Sequence, residues 1–211
     1  RLLCLENTHN MQGGGVYPRD PFQEVLRIAR ERELAVHLDG ARLFNASIAS
    51  GVPARVLTQG VDSVMVTLSK GLAAPAGSLL VGKTDFIQEA VRARKRLGGG
   101  MRQVGILAAA GIIALDFMVD RLAEDHDHAR LLAEGLAEIP GFEIDPAAVQ
   151  TNIVIFRSAR VAPQILAERL KSEGVLCLCW SSDQIRMVTH LDVSRQEILQ
   201  ATDIARRVSR L

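Results

Sequence analysis

Residues 34–70 read LAVHLDGARLFNASIASGVPARVLTQGVDSVMVTLSK. Two apolar, partly β-branched runs, Leu34 to Asp39 and Val61 to Leu68, enclose a helical pattern from Leu43 to about Leu57 that breaks near Gly51 and Pro53. Strand, helix and strand in that order form a βαβ unit, which implies parallel strands and a right-handed crossover. Asp39 closes the first strand, and Lys70 follows the second, 31 positions later. Ligands of open α/β sheets bind outside the carboxyl ends of the strands, so both side chains are expected at one crevice.

Outward from this unit, Leu2 to Leu5 reads as a buried strand and leads through Glu6-Asn7-Thr8-His9-Asn10 into a Gly13-Gly14-Gly15 loop. Asp20 is expected to cap a helix reaching about Glu33, with Pro21 at its first position and Gln23 completing a capping box. A short strand spans 78–81, and Thr84 caps a basic helix that stops at Gly98-Gly99-Gly100. Residues 101–139 read as helix nearly throughout, in two segments. Short strands then appear at 142–144, 153–157, 175–180 and 185–189, with helices at about 163–173 and 194–210. Ser194 and Glu197 form a second capping box. This change of texture places a domain boundary near residue 120, giving domains 1–119 and 120–211 in an α/β protein.

Composition narrows the function classes. Of 211 residues, 48% are hydrophobic and 23% charged, as in ordinary globular chains. A net charge of +1 and 4% aromatics leave neither the field nor the stacking platforms for nucleic acid. The basic cluster Arg92, Arg94, Lys95, Arg96 reads as a solvent face or subunit contact. The longest apolar stretch, Gly105 to Val119, is interrupted by Asp116 and falls short of the about 20 residues a bilayer requires; it reads as a buried helix. Cys4, Cys177 and Cys179 lack disulfide or zinc spacing and read as reduced, partly buried thiols of a reducing compartment, the cytoplasm. The chain opens in mid-strand without Met, so further sequence is expected upstream.

The pair His37-Leu38-Asp39-Gly40-Ala41-Arg42 and Ser69-Lys70-Gly71-Leu72 looks like the cofactor grip of an enzyme that uses pyridoxal 5′-phosphate. Each motif alone is an ordinary turn or loop. Placed together at two strand ends, they meet the needs of that chemistry. A carboxylate such as Asp39 keeps a pyridine nitrogen protonated, because an opposite charge favours the charged form. An amine such as Lys70 attacks the aldehyde. A guanidinium such as Arg42 holds an anion, either the phosphate or the ring's phenolate oxygen.

Five motifs in order extend the likeness over the whole chain: Glu-Asn-Thr-His-Asn (6–10) with its glycine loop, His-Leu-Asp-Gly-Ala-Arg (37–42), Ser-Lys-Gly-Leu-Ala-Ala-Pro-Ala-Gly-Ser (69–78), Gly-Gly-Gly-Met-Arg-Gln (98–103) and Arg-Met-Val-Thr-His-Leu-Asp-Val-Ser (186–194). This set resembles the low-specificity L-threonine aldolases, of the aspartate-aminotransferase-like fold (fold type I). The resemblance implies that residues 1–119 are the C-terminal part of the cofactor-binding large domain and 120–211 a small domain. It implies retro-aldol cleavage of L-threonine, L-allo-threonine and similar 3-hydroxy amino acids to glycine and an aldehyde. Lys70 becomes the Schiff-base lysine, Asp39 the partner of the ring nitrogen, Arg42 a cofactor contact, and Arg186 the clamp on the substrate carboxylate. Dimers paired into tetramers are implied as well. So is an upstream region carrying the phosphate loop and two active-site histidines. The family's lysine loop usually has Gly where this chain has Ala73, which strains the turn if that position needs positive φ.

Among the other polar residues, His9 lies in the loop beside the expected crevice and can approach cofactor or substrate. Asn7 and Asn10 are both placed to bond the ring oxygen, and the spacing to Gly13-Gly14 favours Asn10. His37 shares Asp39's side of the strand and is expected to orient that carboxylate. His190 reads as buried and structural. His126 and His128, two apart on a helix, read as a solvated face, with no metal site. Without the resemblance, Arg186 would read as a surface ion-pair residue. The alternatives are a β-eliminating lyase of the tryptophanase kind and a non-catalytic truncated fragment.

Overall fold

The computed structural model describes residues 1–210. It divides into two compact units: Arg1–His9 with Val16–Arg121, and Asn10–Gly15 with Leu122–Leu211. That residues 10–15 belong to the second unit was not legible in the sequence.

The first unit contains β1 (Leu2–Glu6), α1 (Arg19–Glu31), β2 (Ala35–Gly40), α2 (Leu43–Ser50), α3 (Ala54–Leu57), β3 (Ser63–Thr67), β4 (Ser78–Gly82), α4 (Thr84–Arg96) and α5 (Gly105–Phe117). The sheet order is β1-β2-β3-β4, with β1, β2 and β3 parallel and β4 antiparallel to β3. Val36 and Leu38 of β2, with Val64 and Val66 of β3, pack against Phe22, Leu26 and Ala29 of α1 and Leu43 of α2. Strand alternation therefore puts His37 and Asp39 on the opposite face of β2 from this core. Gly51, at φ 65°, ends α2 in the left-handed conformation and produces the break before Pro53.

Several local expectations are corrected. α1 starts at Arg19 after Pro18, so Asp20 lies in its first turn instead of capping it, and the Phe22 amide bonds the Pro18 carbonyl. Lys83 is the N-cap residue of α4, and Thr84 is its first helical residue. β1 forms one edge of the sheet and is only half covered, with Leu2 exposed. α5 is not a buried helix: only Gly111 and Ala114 are buried, while Ile106, Ile112, Ile113 and Phe117 face outward.

The second unit contains α6 (Leu122–Ala137), β5 (Phe142–Glu143), β6 (Ile153–Ser158), α7 (Pro163–Ser172), β7 (Leu178–Cys179), β8 (Gln184–Val188) and α8 (Arg195–Val208). Short 3-10 turns lie at Asn10–Gln12 and Pro146–Ala148. The antiparallel sheet runs β5-β6-β8-β7. Val154, Phe156, Ile185 and Met187 from one sheet face join Ala129, Leu132, Ala133 and Leu136 of α6, Leu166 and Leu170 of α7, and Ile198, Ala205 and Val208 of α8. Ser194 and Glu197 make the full capping box of α8.

His126 and His128 are buried, at 6% and 4% exposure, contrary to the solvated face expected from their spacing. The packing of α6 extends around more than one stripe, from Leu122 through Asp125 to Leu136, so positions two apart can both be covered. His190 is exposed, with Nδ1 3.4 Å from Asp192 Oδ2, because it lies past the end of β8. Cys4 and Cys179 are exposed; only Cys177 is half-buried, and burial pushes its thiol up to about 11.

Candidate active site

In the first unit the candidate site is built on the carboxyl ends of three parallel strands. Register aligns Glu6 with Asp39 and Asp39 with Met65. The Asn7 amide donates to the Asp39 carbonyl at 3.0 Å, carrying the pairing one residue beyond β1. A Cβ on Gly40 would stand 2.7 Å from the Met65 carbonyl oxygen, so glycine is what lets β2 and β3 close there. The Ala41 amide donates to Asp39 Oδ1 at 3.0 Å, which fixes the carboxylate and leaves Oδ2 to receive another donor. Arg42 takes the N-cap position of α2. Burial pulls its guanidinium below the usual arginine range, while the nearby Glu6 and Asp39 carboxylates push it back up.

Lys70 follows β3 in an exposed loop. The Ala73 amide bonds the Lys70 carbonyl at 2.9 Å, the Ala74 amide bonds Leu68, and the Leu68 amide bonds Gly77 at 3.0 Å, so the loop is closed by its own backbone. Ala73 has φ 59°. That is the strained position foreseen from the alanine that stands where glycine is usual.

His37 is anchored elsewhere than expected: its Nδ1 lies 2.8 Å from Ser63 Oγ, across the strand pair, so Ser63 rather than Asp39 sets its ring. His9 places Nε2 3.5 Å from Glu6 Oε2 and buries Nδ1 without a hydrogen-bond partner. Thr8, 1% exposed, likewise has a buried hydroxyl without a partner. Asn7 is spent on structure, its Oδ1 accepting the Tyr17 amide at 3.1 Å. The sequence reading had missed Glu6 and Thr8. Their signal is their place at the end of the strand that abuts β2, Glu6 as its last residue and Thr8 two residues on.

These residues fit a pyridine cofactor. They combine a fixed carboxylate, a partly buried guanidinium, an amine on the loop after the next strand, and two buried polar atoms, on Thr8 and His9, still lacking partners. Buried polar atoms are nearly always bonded, so the last two mark a place for a ligand's polar groups.

In the second unit, Arg186 is only 8% exposed and is no surface ion-pair residue. It points away from the core formed by its neighbours Ile185 and Met187. Its Nη2 donates to Asn10 Oδ1 at 3.0 Å, and its Cζ lies 5.2 Å from the centroid of the Trp180 ring. The segment bearing Asn10 is tied down by Thr151, whose hydroxyl donates to the Gly14 carbonyl at 2.8 Å. The structure thus groups the candidates as His9, Asp39, Arg42 and Lys70 in one unit and Asn10 with Arg186 in the other. Among the described residues, no group of three or more His, Cys, Asp or Glu could hold a metal ion, and no helix is long and apolar enough to cross a membrane.

Comparison with known proteins places this geometry. An Exiguobacterium protein described as an aromatic amino acid beta-eliminating lyase/threonine aldolase superposes with a TM-score of 0.83 at 22% identity, over 98% of this chain and 62% of its own. A Listeria monocytogenes protein described as an L-allo-threonine aldolase gives 0.83 at 20% identity, over 98% and 61%. The Sphingomonas wittichii serine palmitoyltransferase gives 0.78 at 19%, over 99% and 54%. The fold is that of the fold type I pyridoxal-phosphate enzymes, present in part. A family model described as Beta-eliminating lyase matches residues 1–159, and the chain belongs to that family. It is 48% identical to the low specificity L-threonine aldolase of Escherichia coli K12 over 200 residues, and 44% identical to low-specificity L-threonine aldolase 1 of Arabidopsis thaliana over 201. It spans 58% and 56% of the length of these two relatives, which cover 95% and 94% of it.

Proposed function

We propose that this chain is the lysine-bearing part of a pyridoxal 5′-phosphate-dependent aldolase that cleaves L-threonine, L-allo-threonine and related 3-hydroxy amino acids to glycine and an aldehyde. The observation that carries this reading is the fixed Asp39 carboxylate beside the Arg42 guanidinium, at the strand ends from which the Lys70 loop departs. The names of the E. coli and Arabidopsis relatives support the choice of reaction. In this reading the first unit is the C-terminal part of the large, cofactor-binding domain and the second is the small domain.

Each side chain has one task. Lys70 supplies the amine that anchors the cofactor covalently. Asp39 Oδ2 would accept a hydrogen bond from the protonated ring nitrogen and keep that proton in place by its opposite charge. Arg42 binds a cofactor oxyanion. His9 Nδ1 hydrogen-bonds the substrate hydroxyl. Arg186 binds the substrate carboxylate through paired N–H donors. Asn10 Nδ2 would donate to the ring oxygen, while its Oδ1 accepts from the Arg186 guanidinium. When bound, the cofactor supplies an electron sink for the pair released as the Cα–Cβ bond breaks.

Leu79, Leu80 and Val81 of β4 and Ile106, Ile112, Ile113 and Phe117 of α5 are exposed apolar side chains, and the homo-oligomer reading rests on the resemblance to the threonine aldolases. The free thiols Cys4, Cys177 and Cys179 fit the cytoplasm.

The test is spectroscopic and then chemical. Pyridoxal phosphate added to the purified protein should produce a visible absorption band that borohydride bleaches and that Lys70→Ala lacks. L-allo-threonine should then yield glycine and acetaldehyde. A band surviving in Lys70→Ala removes the anchor assignment. Pyruvate released from substrates with a β leaving group, without aldehyde from allo-threonine, favours the β-eliminating reading that the family description admits. Absence of any band favours a non-catalytic chain.

A further inference from the structure

Arg186 is held by two side chains that no motif pointed to together. β7 and β8 form a tight hairpin in which Leu178 is aligned with Arg186 and the Trp180 amide donates to the Gln184 carbonyl at 2.8 Å. The return of the hairpin brings the half-buried indole of Trp180 over the Arg186 guanidinium, 5.2 Å from ring centroid to Cζ. Asn10 Oδ1 takes one N–H in the guanidinium plane at 3.0 Å. An aromatic face attracts the cation through its quadrupole, from above the guanidinium plane, and so does not compete for the in-plane N–H donors by which a guanidinium grips a planar carboxylate. Arginine carries much rotamer freedom, and a stacked ring removes it before ligand arrives.

We infer that Trp180 is a positioning residue for the carboxylate site: it stacks on Arg186 and presents that guanidinium, with Asn10, to the carboxylate of an α-amino acid. The inference rests on the reading of Arg186 as the carboxylate clamp.

Trp180 is the single tryptophan of the chain, so tryptophan fluorescence reports on this contact alone. Titration of the cofactor-loaded protein with glycine should change the emission, and methylamine, which has the amine but no carboxylate, should not. By calorimetry, Trp180→Leu should weaken glycine binding about tenfold, the scale of a partly desolvated cation–π contact. Trp180→Phe, which keeps an aromatic face, should stay within about threefold of the parent. Cofactor affinity and the thermal midpoint should be unchanged in both variants. If Arg186→Gln loses glycine while Trp180→Leu binds it like the parent, the positioning role is wrong and the clamp stands. If Arg186→Gln binds glycine like the parent, the clamp reading falls and the role of Trp180 with it. A lower thermal midpoint or weaker cofactor binding in Trp180→Leu would make the tryptophan merely structural.

Discussion

Ala73 shows how one methyl group loads a functional loop. Its φ of 59° is a conformation in which an L side chain crowds the following carbonyl, at a cost of about 1–2 kcal/mol relative to glycine. The turn still closes, because the Ala73 and Ala74 amides bond back to Lys70 and Leu68. Ala73→Gly should therefore raise stability, by about 0.5–1 kcal/mol after the greater freedom of glycine in the unfolded chain is subtracted. Urea unfolding of parent and variant measures this, and a lower midpoint for the variant would mean the strain is not there. This position was legible beforehand, since a loop that usually carries glycine exposes its backbone requirement as soon as another residue stands there. The partner of His37 was not. Strand alternation gave the side on which the ring lies, but which hydroxyl reaches it depends on the register of β3.

Among the elements, the segment Asn10–Gly15 is the clearest case of a tertiary demand on sequence. Gly14 has φ 73°, and a Cβ there would lie 2.3 Å from Thr151 Oγ1 and 3.3 Å from Ile153 Cδ1. The same Thr151 hydroxyl bonds the Gly14 carbonyl. Gly14→Ala should cost about 2–3 kcal/mol, the sum of left-handed strain and displacement of a buried hydroxyl. Because Trp180 lies in the second unit, its fluorescence during urea unfolding follows that unit directly. An unchanged midpoint would show that the segment is not seated as described. The glycine loop was visible in the sequence as a turn signal. Its attachment to Thr151, just ahead of β6, was not, because a contact 137 residues away in sequence leaves no local pattern.

At the scale of the whole molecule, the buried His126 makes folding sensitive to acid. Burial lowers the His126 pKa to about 4 from 6.5. Above pH 6.5 the residue is neutral in both states and costs nothing. As pH falls from about 6.5 towards 4, the unfolded chain binds a proton that the folded chain refuses, so stability is lost, by up to about 3 kcal/mol near pH 4. Urea midpoints measured across this range should fall with pH, and His126→Gln should flatten the slope; a parallel slope in the variant would place the acid sensitivity elsewhere. The sequence by itself determined the βαβ order, the placement of Asp39 and Lys70 at neighbouring strand ends, the capping box of α8 and the likeness to a family. All of these are written in local periodicity, turn chemistry and spacing. Only the tertiary structure decided that His126 and His128 are buried and His190 exposed, that α5 turns most of its apolar side chains outward, and that Arg186 rests on Trp180 and Asn10. Burial and side-chain partnership come from surfaces brought together by distant parts of the chain, and no window of sequence contains both sides of such a contact.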